Sequence, residues 1–400
     1  MNFTFPKRIA ELNPSAIREI LKSAAGKNVI PFSAGNPAPE AFPVKEIAEI
    51  SHRILTEQPI AALQYGVTEG YMPLVKHLKQ YMADKYNVGG EGCELLITSG
   101  AQQAIELAAK ALCEPGDVVV CEDPSFIGSL NSFRSLGVRL VGVPIDDDGM
   151  NMEKLEAVLQ SEPRCKLIYT IPNFQNPTGI TMSVEKRKQM LALAKQYNVL
   201  IVEDNPYGDL RYVGDNVPAI QTLDTDGHVL YVGSFSKVVA PAMRVGYAIG
   251  AAELLKKMAV CKQGEDVHSS QWAQMLIYEF MTTCDYEKHL EYLRGLYREK
   301  QQVMSALLTE KLVPYGIEYP PADGGLFMWC RLPKQIDPTD FVRRAIGEYQ
   351  TAVIPGSAFA VDTHAAPMPA FRVNFSTPTI EQMHAGVENL EKLTRSILGK

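Results

Sequence analysis

Four short stretches of the chain carry residue types that can do chemistry together. The first is VLYVGSFSKVVAPAMRVGY, residues 229–247, which sets Ser234, Ser236, Lys237 and Arg244 between two apolar runs. A lysine among Ser, Val, Ala and Pro is poorly placed for a solvated surface. Two hydroxyls and an arginine beside it can hold a phosphate dianion. The plain alternative is a loop lysine facing water, the commonest role of that residue. The second stretch is VLIVEDNPYG, residues 199–208, where Asp204 closes an apolar run. A carboxylate at the end of a buried strand is costly without a cationic partner. No Lys or Arg follows it before Arg211, so Asp204 either caps the next turn or meets a bound cation; Tyr207 stands three residues on. The third is YTIPNFQNPTG, residues 169–179, whose Asn176 amide either donates to a ligand or belongs to a simple Asn–Pro turn. The fourth is ITSGAQQA, residues 97–104, where a run ends, Ser99 and Gly100 turn, and a helix starts near Ala101. The free amides and dipole of such a helix start favour an anion, although a glycine-containing turn serves equally as a plain connection.

These stretches follow apolar runs, which is where ligands gather in open α/β sheets. Between residues 90 and 250 the runs ELLITS, VVVCED, RLVGVPI, KLIYTIP, VLIVED, VLYVGS and RVGYAIG alternate with helical patterns. In AQQAIELAAKALCEPGD, Ile105, Ala108, Ala109 and Leu112 share a face. MEKLEAVLQ and SVEKRKQMLALAKQYN read the same way, and Asn13 with Pro14 suggests a helix start before SAIREILK. Near-continuous apolar strands separated by helices predict a mostly parallel seven-stranded sheet covered on both faces. Beyond about residue 275, one long charged helical stretch and the short runs GGLFMWCRL, TAVIPG and FRVNFS predict a smaller α+β domain.

Composition narrows the classes further. The 400 residues are 46% hydrophobic and 21% charged, enough for a substantial core and against global disorder. With 39 Lys+Arg against 46 Asp+Glu the net charge is −7, which lacks the footprint of a general nucleic-acid binder. The seven cysteines are scattered, with no Cys-x-x-Cys or Cys/His cluster, so no metal site is expected. No secretory leader or membrane-length apolar run is present in the sequence, and the expectation is a cytoplasmic protein. A nicotinamide dehydrogenase is disfavoured because no G-x-G-x-x-G occurs.

A strand-end carboxylate, a loop lysine and a phosphate cradle are jointly complementary to pyridoxal 5′-phosphate (PLP), which needs an amine, an anion at its ring nitrogen and donors for its phosphate. The order NPTG, D-x-x-Y, S-x-S-K, P-x-x-R-x-G and a late R-x-N-F resembles the class I/II aminotransferases, of the fold type I PLP enzymes, over nearly the whole chain. SAIREILK, FSAGNPAPEAFP and LQYGVTEGY resemble the 2-aminoadipate/kynurenine aminotransferase-like branch. That branch also supplies the effector domains of MocR-type regulators, whose DNA-binding domain precedes it; this sequence starts at the catalytic portion.

The resemblance implies a role for each matching residue. Lys237 is the Schiff-base lysine and proton carrier, and Asp204 faces the pyridinium nitrogen. Tyr207 and Asn176 serve the phenolic oxygen. Gly100, Ala101, Gln102, Ser234, Ser236 and Arg244 form the phosphate site, and Phe126 stacks on the ring. Tyr65 is expected to reach a partner's phosphate across a homodimer interface. Arg372 grips the substrate α-carboxylate with Asn176 nearby, Gly35 leaves room for the substrate side chain, and Arg18 pairs with a distal carboxylate. Two positions depart from the common pattern. Phe126 stands where Tyr is frequent, and Ala101 where a hydroxyl residue is frequent. The implied domains are 1–45, an N-terminal arm and helix packing with the small domain; 46–280, the large PLP-binding domain; and 281–400, the small domain. The implied reaction moves an amino group from an L-amino acid to a 2-oxo acid, with 2-oxoglutarate as the expected acceptor and ping-pong kinetics. The alternatives are a PLP-dependent lyase or decarboxylase on the same fold, or a non-catalytic sensing module of MocR type.

Overall fold

The computed structural model describes residues 2–10, 12 and 29–399. All seven apolar runs form strands of one sheet: β1 (Cys93–Thr98), β2 (Val118–Asp123), β3 (Arg139–Asp146), β5 (Cys165–Thr170), β6 (Leu200–Asp204), β7 (Val229–Ser234) and β8 (Gly246–Ala251). An eighth strand corrects the expected count of seven. It is β4 (Gly149–Met150), which folds back antiparallel on the end of β3, pairing Ile145 with Met150. Two residues are too few for a period-two signal, and the acidic turn before them hides the hairpin. The order is β1-β8-β7-β6-β5-β2-β3-β4, and the pairings from β7 through β6, β5 and β2 to β3 are parallel.

The strands are continuously apolar because they are buried on both faces. Val119, Cys121, Leu167, Tyr169, Val202 and Leu230 join one core with Ala104, Ile105 and Ala108 of the helix Ala101–Leu112. Their strand neighbours Val118, Val120, Ile168, Ile201 and Val229 join a second core with Leu155, Leu159, Met190 and Ala194 from the helices Met152–Ser161 and Val184–Tyr197. Alternate residues point to opposite faces, so one run feeds two cores. Each Val, Leu or Ile buried in this way contributes about 1.5–3 kcal/mol before entropy is counted.

The long charged stretch forms one helix, Tyr286–Lys311, and a separate helix, Gln271–Thr283, precedes it. They break at Cys284, where the Asp285 carboxylate accepts from Lys288 N–H at 3.0 Å and starts the second helix. The three later runs form an antiparallel sheet, ordered β10 (Ile354–Pro355), β11 (Ala370–Asn374), β9 (Phe327–Arg331). The N-terminal segment is laced to this smaller sheet. Ala352 N–H donates to Ile30 O at 2.9 Å, and Asn374 N–H to Phe32 O at 2.8 Å. No helix among the described residues is long and apolar enough to cross a membrane. Arg18 and the Asn13–Pro14 helix start lie outside the described residues.

Candidate active site

Two of the four stretches converge through strand register. Gly246 pairs with Thr98 on one side and with Ser234 on the other, so the Ser99–Gly100 turn, the end of β7 and the Arg244 loop meet at one edge of the sheet. Glycines permit the approach. A Cβ on Gly246 would stand 2.6 Å from Ala101 N, and one on Gly100 (φ +84°) would stand 2.5 Å from Arg244 Nη2. Arg244 Nη2 donates to Ser99 O at 3.2 Å. Ser234 donates to Ser236 Oγ at 2.9 Å and accepts from Ser236 N–H at 3.1 Å. The result is a shallow cradle of two hydroxyls, a guanidinium and the free N–H groups of a helix start, suited to a phosphate. Gln102 enters only through its backbone. Its side chain turns away and donates to Gly128 O at 3.0 Å and Ser132 Oγ at 2.6 Å. Phe126 stands half-buried at the entrance to the helix Ile127–Ser135.

Asp204 ends β6 and is buried. Its Oδ2 accepts from the Tyr169 hydroxyl at 2.8 Å, and Tyr169 in turn accepts from Ser129 at 2.9 Å. Its Oδ1 is buried without a hydrogen-bond partner. Burial pushes the Asp204 carboxyl up to about 7, only partly offset by Tyr169. A carboxylate held this way awaits a donor from outside the protein.

Lys237 donates from Nζ to Gly35 O at 2.7 Å. Burial, and then the positive charges of Arg372 and Arg244, bring its ammonium down to about 8. An amine in that range is partly neutral near physiological pH and can act as nucleophile or base.

Arg372, on β11, is buried and sandwiched between aromatic faces, 4.1 Å from the Phe327 centroid and 5.0 Å from that of Phe359. Nη1 donates to Asn176 Oδ1 at 2.7 Å and Nη2 to Ser33 O at 3.0 Å, while Nε has no partner. Among the described residues no carboxylate pairs with it. Burial lowers it to about 10, so it stays charged. A buried cation without a counter-ion is a site prepared for an anion. Asn176 also bonds Tyr207, whose hydroxyl burial pushes up against the opposing pull of Arg372.

Lys237, Arg244, Arg372, Asn176, Tyr207 and Asp204 are thus brought together, with Gly35 backing the amine. A side chain at Gly35 would start 3.4 Å from the Phe327 ring. Tyr65 is the exception. It is 81% exposed, and its ring meets only the edge of His268, at 5.8 Å. Sequence reasoning missed Tyr169 and Glu122. The Glu122 carboxylate accepts from Thr170 Oγ at 2.7 Å, Ile171 N at 3.1 Å and Gln175 Nε2 at 3.2 Å, and so fastens the turn that carries Asn176. The signal was available: Glu122 is the first charge after the apolar run Val118–Cys121.

The family model described as aminotransferase class I and II matches residues 27–390. The chain belongs to the class I and II aminotransferases. It is 35% identical over 400 residues to the aromatic-amino-acid aminotransferase 1 of Thermococcus litoralis, covering 99% of this chain and 95% of that one. Two solved structures superpose closely. The multiple substrate aminotransferase of Thermococcus profundus gives a TM-score of 0.93 at 34% identity, covering 99% of this chain and 98% of that one. The alpha-aminoadipate aminotransferase of Thermus thermophilus, complexed with N-(5′-phosphopyridoxyl)-L-leucine, gives 0.89 at 34% identity, with the same coverage. The fold is that of the fold type I aminotransferases, and the chain is a PLP-dependent amino-acid aminotransferase. Its residues fit the cofactor. The orphaned Asp204 oxygen matches a protonated ring nitrogen, the glycine-lined cradle matches a phosphate, and the Lys237 amine matches an aldehyde.

Proposed function

We propose that this aminotransferase moves the amino group of an L-amino acid to 2-oxoglutarate in two half-reactions, with Lys237 as covalent attachment point and proton carrier. The observation that carries the reading is that two buried polar atoms in one cluster, Asp204 Oδ1 and Arg372 Nε, have no hydrogen-bond partner, beside a buried Lys237 amine whose pKa burial brings down to about 8. Bound PLP supplies an electron sink for the charge left at the substrate Cα. Asp204 holds the proton on the ring nitrogen. Asn176 and Tyr207 orient the phenolic oxygen, and Phe126 covers the ring face. Ser234, Ser236, Arg244 and the N–H groups of Ala101 and Gln102 would hold the phosphate, with Gly100 leaving room for it. Arg372 offers Nε and its remaining N–H to the α-carboxylate, a planar grip that fixes the Cα–H bond for Lys237 to deprotonate. The Gly35 carbonyl steers the amine before it acts. Gly35 also leaves the substrate side chain open space, and Arg18 is the candidate for a distal carboxylate.

We assign residues 46–280 to the large domain, with 1–45 and 281–400 forming the arm and the small domain, and we place the enzyme in the cytoplasm as a homodimer. The exposed Tyr65, with Ile60 and Leu63 at 75% and 73% exposure, supports a second copy as the cover. A panel of amino donors assayed against 2-oxoglutarate, read by the glutamate formed, tests the function. Ammonia and pyruvate in place of a new amino acid would convert the reading to a lyase. Lys237→Ala is expected to lose the visible absorbance of lysine-bound cofactor and at least about 10⁴-fold in turnover; a surviving band would overturn the assignment.

A further inference from the structure

Behind the phosphate cradle lies an ion pair, its lysine buried and its acid partly exposed, that no step of the reaction uses. Lys262, near the end of the helix Ala252–Gln263, has a side chain with no exposed surface. Its ammonium reaches Asp266 Oδ1 and Oδ2 at 2.7 and 2.8 Å, Gln103 Oε1 at 2.9 Å and Ser269 Oγ at 3.0 Å. Asp266 Oδ2 accepts from Ser99 Oγ at 2.7 Å and from Gln103 Nε2 at 2.9 Å. Ser99 is therefore held at every polar atom. Its N–H donates to Gln103 Oε1 at 2.8 Å, its hydroxyl to Asp266, and its carbonyl accepts from Arg244. Gly100 follows, its N–H donating to Thr98 O at 2.8 Å, and then Ala101 and Gln102, the residues proposed to offer N–H groups to the phosphate.

We propose that Lys262 and Asp266 are positioning residues for this turn: they fix Ser99, and through it the direction of the Ala101 and Gln102 amides and the Arg244 guanidinium. The inference rests on the PLP reading above. Two physical arguments support it. A buried ion pair contributes little stability over apolar residues of similar volume, but it does impose direction. The second argument is charge. An acid bonded to the residue before the cradle would repel a phosphate dianion, and Lys262 cancels it. Burial alone would push the Asp266 carboxyl up, yet the hydrogen bonds from Lys262, Ser99 and Gln103 hold it below its usual range. The pair therefore stays ionised as a neutral unit.

The experiment measures the affinity of the apoenzyme for PLP, by absorbance, and for inorganic phosphate, by competition, together with the ³¹P resonance of bound PLP. Ser99→Ala removes one hydroxyl and is expected to weaken both affinities about tenfold, one charge-assisted hydrogen bond. Ser99→Thr keeps the hydroxyl and should restore most of the loss. Lys262→Met leaves Asp266 uncompensated and is expected to exceed the Ser99→Ala effect; Asp266→Asn should fall between parent and Lys262→Met. The ³¹P resonance should shift in all three weakened variants. Leu290→Ala, a core truncation within Tyr286–Lys311, serves as the control that lowers Tm without changing phosphate affinity. Affinities within twofold of the parent in Ser99→Ala and Asp266→Asn, or losses confined to Tm, would overturn the proposal while leaving the PLP reading intact. A parent apoenzyme that takes up no PLP would overturn both.

Discussion

Asp204, Ser234 and the Ser99–Gly100 turn sit at the ends of strands of a single sheet, placed by pairings such as Thr98 with Gly246 and Gly246 with Ser234. Arg372 comes from the smaller sheet and the carbonyls of Ser33 and Gly35 from the N-terminal segment, over sequence separations of 339 and 202 residues. The first half, proposed to face the cofactor, is set by strand register. The second half, proposed to face the substrate, is set by docking of separate pieces. Chemistry on the rigid side and recognition on the docked side should therefore respond differently to damage.

The largest expected effect that separates them is Asp204→Ala. The apoenzyme should stay folded, because a buried acid with an orphaned oxygen costs stability where it stands, while turnover falls about 10²–10³-fold. Near-normal turnover, measured at saturating substrates, would break the comparison on the cofactor side. Arg372→Lys should instead raise the KM for the amino acid about 10–100-fold, since an ammonium cannot make the paired grip. It should also lower Tm, because the bonds to Asn176 and Ser33 go with it. A kcat loss at unchanged KM would contradict a recognition role. Next comes pH. Lys237 must be neutral to attack an aldehyde, and its ammonium titrates at about 8. The rate at which apoenzyme takes up PLP should therefore rise as pH increases through that value and fall below it; stopped-flow absorbance would show a flat profile if the amine were already neutral. The smallest effect is Tyr169→Phe. It cuts one bond to Asp204 and should cost about tenfold in turnover or less, with the KM for amino acid unchanged.

What was legible in the sequence follows the same division. The strands announced themselves because burial on both faces demands unbroken apolar runs. Asp204 was visible as a charge closing such a run, and Lys237 as a cation in small, apolar company. Tyr169 was not, because an aromatic in a strand looks like ordinary core. The carbonyls of Ser33 and Gly35 have no side-chain signature at all. Gln102 kept its expected place but spent its side chain on Gly128 and Ser132, which spacing cannot foretell. Arg372 stood out only through resemblance, since its lack of a counter-ion is a fact of three dimensions.

The clamp on Arg372 has a consequence for assembly. Its guanidinium touches Phe327 and Phe359 in one lobe, Asn176 in the other and Ser33 near the start of the chain. The grip proposed for the amino-acid carboxylate is therefore whole only when all three pieces of chain have docked.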